Sequence, residues 1–271
     1  METIPSTSNG HAAQPLVAQS LVAEPLFKTA PFVVPPDFKL SVLMPVFNEQ
    51  NTIVEILQRV RAVPIAKEII VVDDGSQDGT RAVLEEHVIG KMPEVQVWYH
   101  RRNCGKGAAL RTAIAHASGD VCLIQDADLE YDPRDYFQLL EPIVDGRADV
   151  VYGSRFIGGG AHRIHLFWHS VGNRALTTFS NMLTNLNLTD METCYKVVRT
   201  PLLKSLSLRA NKFDIEPELT AKLARARARF YEVPISYAGR DYSEGKKIGW
   251  KDGVHAMWAI CRYNLPAQER P

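Results

Sequence analysis

The stretch Ile69-Ile70-Val71-Val72-Asp73-Asp74-Gly75-Ser76 decides the fold. A short β-branched run that stops in carboxylates predicts a buried parallel strand, with its acids at the carboxyl edge of a sheet. That edge is where open α/β sheets bind ligands. A second run, Val121-Cys122-Leu123-Ile124-Gln125, ends in the same way at Asp126-Ala127-Asp128. Two carboxylates one residue apart suit a hard divalent cation, which takes oxygen ligands and often shares them with substrate phosphates. Together the two strand ends predict a nucleotide–metal site.

Outward from these strands the pattern alternates between strand and helix, as in βαβ units. Strands are expected at 39–44 (ending at Pro45), 68–72, 95–100, 120–125 and 149–152. Helices are expected at 50–62, 79–89, 106–117 and 133–145, with Asp132-Pro133 as cap and first turn of the last. Gly158-Gly159-Gly160 reads as a hinge. Beyond it come a long amphipathic helix at 166–186, a strand at 193–198, a helix at 214–227, a strand at 230–237 and a closing helix at 250–265. Residues 38–265 thus read as one α/β domain, with a nucleotide-binding half (38–155) and an acceptor-binding half (156–265). Residues 1–37 are punctuated by Pro5, Pro15, Pro25, Pro31, Pro35 and Pro36, and are expected to form a disordered leader.

The 271 residues are 45% hydrophobic, enough for a substantial core. Lys+Arg and Asp+Glu are both 31, so nothing in the overall charge points to nucleic acid, although a local basic patch for phosphates is compatible. Cys104, Cys122, Cys194 and Cys261 are widely spaced, which argues against a zinc site or disulfide framework and for a reducing compartment. No stretch reaches the roughly 18–20 continuous apolar residues of a membrane span, and the N-terminus lacks a secretory-signal layout. A cytoplasmic protein is expected, at most peripheral at the cytosolic membrane face.

Each motif admits a chemical and a structural reading. In Pro45-Val46-Phe47-Asn48-Glu49 the backbone would contact a nucleotide and Glu49 a base or ribose, or Asn48 and Glu49 would cap the next helix. The Asp73 or Asp74 carboxylate could accept from a nucleobase imide or ribose hydroxyl; alternatively, Asp73 to Thr80 is a turn plus helix cap. In Arg102-Asn103-Cys104-Gly105-Lys106-Gly107 the glycines permit close approach, and two cations at a helix N-terminus suit a diphosphate. Walker spacing is absent.

Asp126 and Asp128 cannot both be buried unpaired. A metal bridging them to a nucleotide diphosphate would neutralise them and activate the leaving group, with Glu130 extending the acid set. Arg155, after Gly153-Ser154, suits a bidentate phosphate contact or an ion pair with a carboxylate. Arg163 is a further cation for a phosphorylated acceptor. Asp190 or Glu192 could be a general base, a cap or the group that orders Arg155. A phosphate acceptor, with its second pKa near 6, would need little help from a base. The run from Arg240 to Lys247 is a solvated loop or a mobile lid, and His162, His165 and His169 read as surface or acceptor-groove residues.

Taken in order, the Pro45–Glu49, Asp73–Thr80, Asn103–Gly107, Asp126–Asp128 and Gly153–Arg155 motifs strongly resemble glycosyltransferase family 2, most closely the dolichol-phosphate mannose and glucose synthases. The resemblance covers about residues 39–240. It implies a GT-A fold with a Rossmann-like mixed, mostly parallel sheet, a nucleotide-sugar donor, Mg²⁺ or Mn²⁺, and inversion by direct displacement. On the family pattern Pro45, Phe47, Asn48, Glu49, Asp73, Asp74, Gly75, Ser76, Asn103, Gly105 and Lys106 face the nucleotide. Asp126, Ala127, Asp128 and Glu130 face the metal-bound diphosphate, with glutamine frequent in relatives at the position of Glu130. Arg155, Arg163 and Ser170 face the acceptor phosphate. Two departures are visible: the C-terminal membrane helices common in such enzymes are not seen, and Leu166 stands four positions before Ser170 where a basic residue is expected. His169 or Arg163 is the candidate substitute.

The leading expectation is hexose transfer from GDP-mannose or UDP-glucose to a polyprenyl or dolichyl phosphate, with the 166–186 and 250–265 helices available to rest on lipid. Three alternatives stand beside it: transfer to a soluble hydroxyl acceptor with Asp190 or Glu192 as base, a nucleotidyltransferase releasing pyrophosphate, and a non-catalytic nucleotide-sugar binding module.

Overall fold

Strand and helix alternate through the first half of the computed structural model as the apolar runs predict. The elements are β1 (Leu40–Val46), α1 (Ile53–Ala62), β2 (Lys67–Asp73), α2 (Thr80–His87), β3 (Val95–Tyr99), α3 (Lys106–His116) and β4 (Val121–Ile124). A 3-10 turn (Pro133–Asp135) then leads into α4 (Tyr136–Val144), β5 (Val150–Ser154), α5 (Phe167–Thr184), β6 (Lys196–Arg199) and α6 (Thr200–Ser205). After these come α7 (Ile215–Arg225), β7 (Phe230–Pro234) and α8 (Trp250–Asn264). The structure describes residues 32–158, 166–239 and 250–265. The chain divides into a unit Met1–Phe32 and a unit Val33–Pro271, and all these elements lie in the second. The expected leader falls largely outside the described residues. So do Gly159 and Gly160 of the hinge, Arg163, His162, His165 and the 240–247 charge run.

The strands form one sheet in the order β3-β2-β1-β4-β6-β5-β7. All neighbours are parallel except β6, which runs antiparallel to both β4 and β5. Strands β1, β2 and β4 are buried on both faces, which is why Ile69–Val72 and Val121–Ile124 are unbroken apolar runs. The polar exceptions, Ser41 and Glu68, sit at the opposite end of the sheet. There Ser41, Lys39 and Ser118 all donate to Glu68. Burial works against the Glu68 carboxylate, but these donors outweigh it and bring its pKa down to about 2.

Several boundaries move for local reasons. Helix α1 begins at Ile53 rather than 50, because Thr52 N donates back to Glu49 O and makes a turn of that stretch. Strand β6 begins at Lys196 rather than 193, since Cys194 N donates to the Tyr131 hydroxyl instead of joining a ladder. Strand β7 ends at Pro234, leaving Tyr237 in an isolated bridge with Tyr131. The short helix α6, with Pro201 in its first turn, is not anticipated by the sequence pattern. Among the described residues no helix is long and apolar enough to cross a membrane.

Candidate active site

The register pairs Val46 with Asp73 and Leu43 with Ile124, so the loops after β1, β2 and β4 leave the sheet at one edge. The first two are stitched together. Asn48, at φ 57°, donates its amide to Ser76 Oγ at 2.9 Å and accepts from Gln77 N at 2.8 Å. Glu49 N donates to Thr80 Oγ1 (2.9 Å), and the Glu49 carboxylate accepts from Thr52 (2.8 Å). Pro45 and Phe47 are half-buried beside them.

Asp73 and Asp74 are turned into the protein. Asp73 is buried and accepts from Ser76 N (3.2 Å) and Arg81 Nε (2.7 Å). Asp74 accepts from Cys104 N (3.0 Å) and Gly105 N (2.6 Å) and lies 2.6 Å from His100 Nδ1. Gly75, at φ +72°, lies so close to the Arg102–Asn103 backbone that a Cβ would not fit. The two acids thereby weld the turn after β2 to the turn before α3. Turn amides and two side chains, Arg81 on Asp73 and His100 on Asp74, occupy the described contacts of the pair.

Gly105, at φ +97°, lets α3 start against the backbone of Asn211, whose carbonyl accepts from Ala108 N at 3.1 Å. This start places Lys106 inside the site. Its Nζ lies 3.0 Å from Asp126 and 3.2 Å from Glu216 Oε1, and Glu216 also pairs with the fully buried Lys196. Burial alone would lower the Lys106 pKa, but Asp126 and then Glu216 outweigh it and hold the ammonium firmly charged. Asp126 is fixed from behind. Tyr136 and Tyr195 both donate to Gln125 Oε1 (2.8 and 2.7 Å), which leaves Gln125 Nε2 to donate to the Asp126 carbonyl at 3.0 Å.

Beyond β4, the Asp128 carboxylate accepts from Glu130 N at 3.2 Å across Leu129, whose φ is +63°. Asp126 and Asp128 are half-exposed, and their oxygen donors fit a hard cation that also takes diphosphate oxygens. Glu130 does not complete a three-carboxylate set with them. Its carboxylate accepts from the Tyr237 hydroxyl at 2.8 Å. Among the described residues the one three-ligand cluster is Asp74, His100 and Cys104.

Across the edge, Arg155 makes a bidentate pair with the buried Asp190 through Nε (2.6 Å) and a terminal nitrogen (2.8 Å), and Asn173 adds a bond of 3.1 Å. The Arg155 guanidinium also packs over the Tyr237 ring. Burial pushes the Asp190 carboxyl up, yet Arg155 more than compensates and keeps it low. Asp190 is thus held as the counter-ion of Arg155. Glu192 differs. Its Oε1 is buried without a hydrogen-bond partner, and burial, reinforced by nearby Glu216, lifts its pKa to about 7. Ser170 lies half-buried in the first turn of α5.

Gln125, Lys196, Glu216 and Tyr237 belong to this site and escape sequence reading. Their only signal is polarity inside otherwise apolar segments, as with Lys196 opening the Val197-Val198 strand.

The model of Glycosyl transferase family 2 matches residues 41–206. A polyprenol monophosphomannose synthase of Mycolicibacterium smegmatis is 28% identical over 241 residues, covering 87% of this chain and 90% of that protein. An undecaprenyl-phosphate mannosyltransferase of Micrococcus luteus is 28% identical, covering 85% and 96% respectively. Among solved structures, glucosyl-3-phosphoglycerate synthase from Mycobacterium tuberculosis, in complex with Mn²⁺, UDP and glucosyl-3-phosphoglycerate, superposes with a TM-score of 0.64 at 19% identity. That match covers 86% of this chain and 82% of the other. Mannosyl-3-phosphoglycerate synthase from Rubrobacter xylanophilus gives 0.66 at 19% identity, covering 86% and 78%. These likenesses establish the GT-A fold. With the family model spanning more than half its length, the chain belongs to glycosyltransferase family 2.

Proposed function

We propose that the protein is an inverting, metal-dependent hexosyltransferase that moves a sugar from GDP-mannose or UDP-glucose to a polyprenyl phosphate. The observation that carries this reading is the Asp126–Asp128 pair at the tip of β4. It stands beside the charged Lys106, on the same sheet edge as the loops after β1 and β2. Names borne by relatives that cover most of this chain support the lipid-phosphate acceptor.

In this reading Pro45, Phe47, Asn48, Glu49 and the Gly75–Ser76 turn cradle the nucleoside. Asn103, Gly105 and Lys106 face the diphosphate. Asp126 and Asp128, with Ala127 between, would hold Mg²⁺ or Mn²⁺, which when bound neutralises charge on the leaving diphosphate. An acceptor phosphate oxygen attacks the anomeric carbon as the bond to the diphosphate breaks, and configuration inverts. The acceptor arrives largely ionised at pH 7, since its second pKa is near 6, so no proton has to be taken from it. Arg155 (oriented by Asp190), Arg163 and Ser170 make up the acceptor side.

The exposed apolar start of α5, with Phe167 69% and Trp168 78% accessible, supports peripheral contact with a membrane face. Residues 1–37 are a leader that the chemistry does not need. A hydroxyl acceptor is the second reading, and Glu192 favours it, because an unpartnered carboxylate titrating near neutrality suits a general base. The test is a panel of nucleotide sugars with Mg²⁺ or Mn²⁺, with and without polyprenyl phosphate, scored for glycosylated lipid and released nucleoside diphosphate. Release of pyrophosphate would make the protein a nucleotidyltransferase. Transfer confined to soluble hydroxyl acceptors would move the assignment to the second reading.

A further inference from the structure

Asp74, His100 and Cys104 come from three segments: the turn after β2, the residue after β3, and the turn before α3. One carboxylate oxygen, one ring nitrogen and one thiol sulfur from them lie within 4.8 Å of one another. Asp74 is buried, His100 half-buried and Cys104 exposed. His100 and Cys104 also line an open cavity of about 620 Å³ beside α3, which provides a route in from solvent.

Hydrogen bonds hold the three donors in place. His100 Nδ1 faces the Asp74 carboxylate at 2.6 Å, and its Nε2 lies 2.9 Å from the Thr112 hydroxyl, an outer partner carried by α3. With Nε2 carrying the ring proton, the Thr112 hydroxyl accepts it and the Nδ1 lone pair is free for a cation shared with Asp74. The Thr112 contact is also the arrangement that orients metal-ligating histidines, the other ring nitrogen being held by an outer partner. The Cys104 and Gly105 amides fix the Asp74 carboxylate in the same manner.

We propose that Asp74, His100 and Cys104 form a binding site for a zinc-type divalent cation. Sulfur, nitrogen and oxygen donors select a softer ion than Mg²⁺ or Mn²⁺, and three protein ligands leave a fourth, tetrahedral position to water from the cavity. The all-oxygen pair Asp126 and Asp128 keeps the hard cations. Binding releases the thiol proton of Cys104 and any proton between His100 and Asp74. The site lies in the turn that leads to Lys106, so an ion there bears on the residue facing the donor diphosphate.

The experiment is a Co²⁺ titration of the metal-free full chain in excess Mg²⁺, followed by optical absorption. One Co²⁺ per chain should produce a thiolate-to-cobalt charge-transfer band that Zn²⁺ abolishes. Cys104→Ser should lose the band, and because Cys104 is exposed its fold is not at risk. Thr112→Val, which removes only the outer partner of His100, should weaken binding by about 10-fold or more. A wild-type protein without the band, or a Cys104→Ser variant that keeps it, overturns the proposal.

Discussion

Lys106 Nζ lies 3.0 Å from both carboxylate oxygens of Asp126 and 3.2 Å from Glu216 Oε1, joining α3, the tip of β4 and α7 through one ammonium. On the proposed function, a divalent cation at Asp126 competes with this ammonium for the same carboxylate, so loading of metal and donor is expected to shift Lys106 toward the diphosphate.

Lys106→Met tests this exchange. Removing the ammonium should tighten binding of Mn²⁺ to the donor-free protein, because Asp126 loses its internal competitor. Turnover should still fall, by about 10²-fold or more, as the diphosphate loses a preorganised donor. The variant should also lose about 3 kcal/mol of stability, since Glu216 is left buried with less compensation. Calorimetric Mn²⁺ titration, steady-state rates and denaturant unfolding read the three effects separately. Weaker Mn²⁺ binding in the variant would count against the exchange.

Asp128→Ala removes half of the oxygen pair at a position outside the buried core, since Asp128 is partly exposed. Transfer should fall by about 10³-fold or more, the equivalent of several kcal/mol of charge stabilisation. Donor affinity should fall with it in Mn²⁺ and change little in EDTA. Equal donor binding in both media would remove Asp128 from the metal site.

Glu192 predicts an opposite pair of outcomes for stability and activity. Its folded-state pKa of about 7 stands above the ordinary 4.5, raised first by burial and then by Glu216. The folded protein therefore holds a proton that the unfolded chain has released, and stability declines as pH rises from about 4.5 through 7, by at most about 3 kcal/mol. Glu192→Gln should abolish this decline and be the more stable protein at pH 8, measured by urea unfolding across pH. With a lipid-phosphate acceptor, Glu192→Gln should keep most of its turnover. A loss of about 10²-fold or more would instead identify a base and a hydroxyl acceptor.

The legible part of the fold was the part with a simple burial pattern. β1, β2 and β4 lie between helices, so their side chains are apolar on both faces and their ends are marked by the acids of the active edge. The reversal at β6 left no such mark, because a strand reads the same in either direction. Lys196 and Glu216 lie 20 positions apart with no local pattern linking them, and they form a buried pair only where α7 meets β6. For Asp190 the sequence leaves base, cap and Arg155 partner open, and the bidentate pair with Arg155 is a geometry that no spacing along the chain encodes. The Asp74–His100–Cys104 cluster was hidden for the same reason: 30 positions separate Asp74 from Cys104, far from any local metal motif.

The apolar start of α5 gives the last prediction. Leu166, Phe167, Trp168 and Val171 are exposed on the first turns of a helix that buries only Thr177 and Ser180 fully, and Trp258 of α8 is half accessible. Their exposure means that Trp168→Ala costs the folded protein little. Burial of such a ring in lipid is worth about 1.5–3 kcal/mol, so its removal should weaken vesicle binding by about 10-fold or more. Co-sedimentation with vesicles containing polyprenyl phosphate measures the first effect. A rise in KM for the vesicle-borne acceptor should accompany it, while kcat with a short-chain, water-soluble acceptor should stay the same. If both acceptors suffer equally, Trp168 acts within the catalytic cleft and the α5 face is not the surface that meets the lipid.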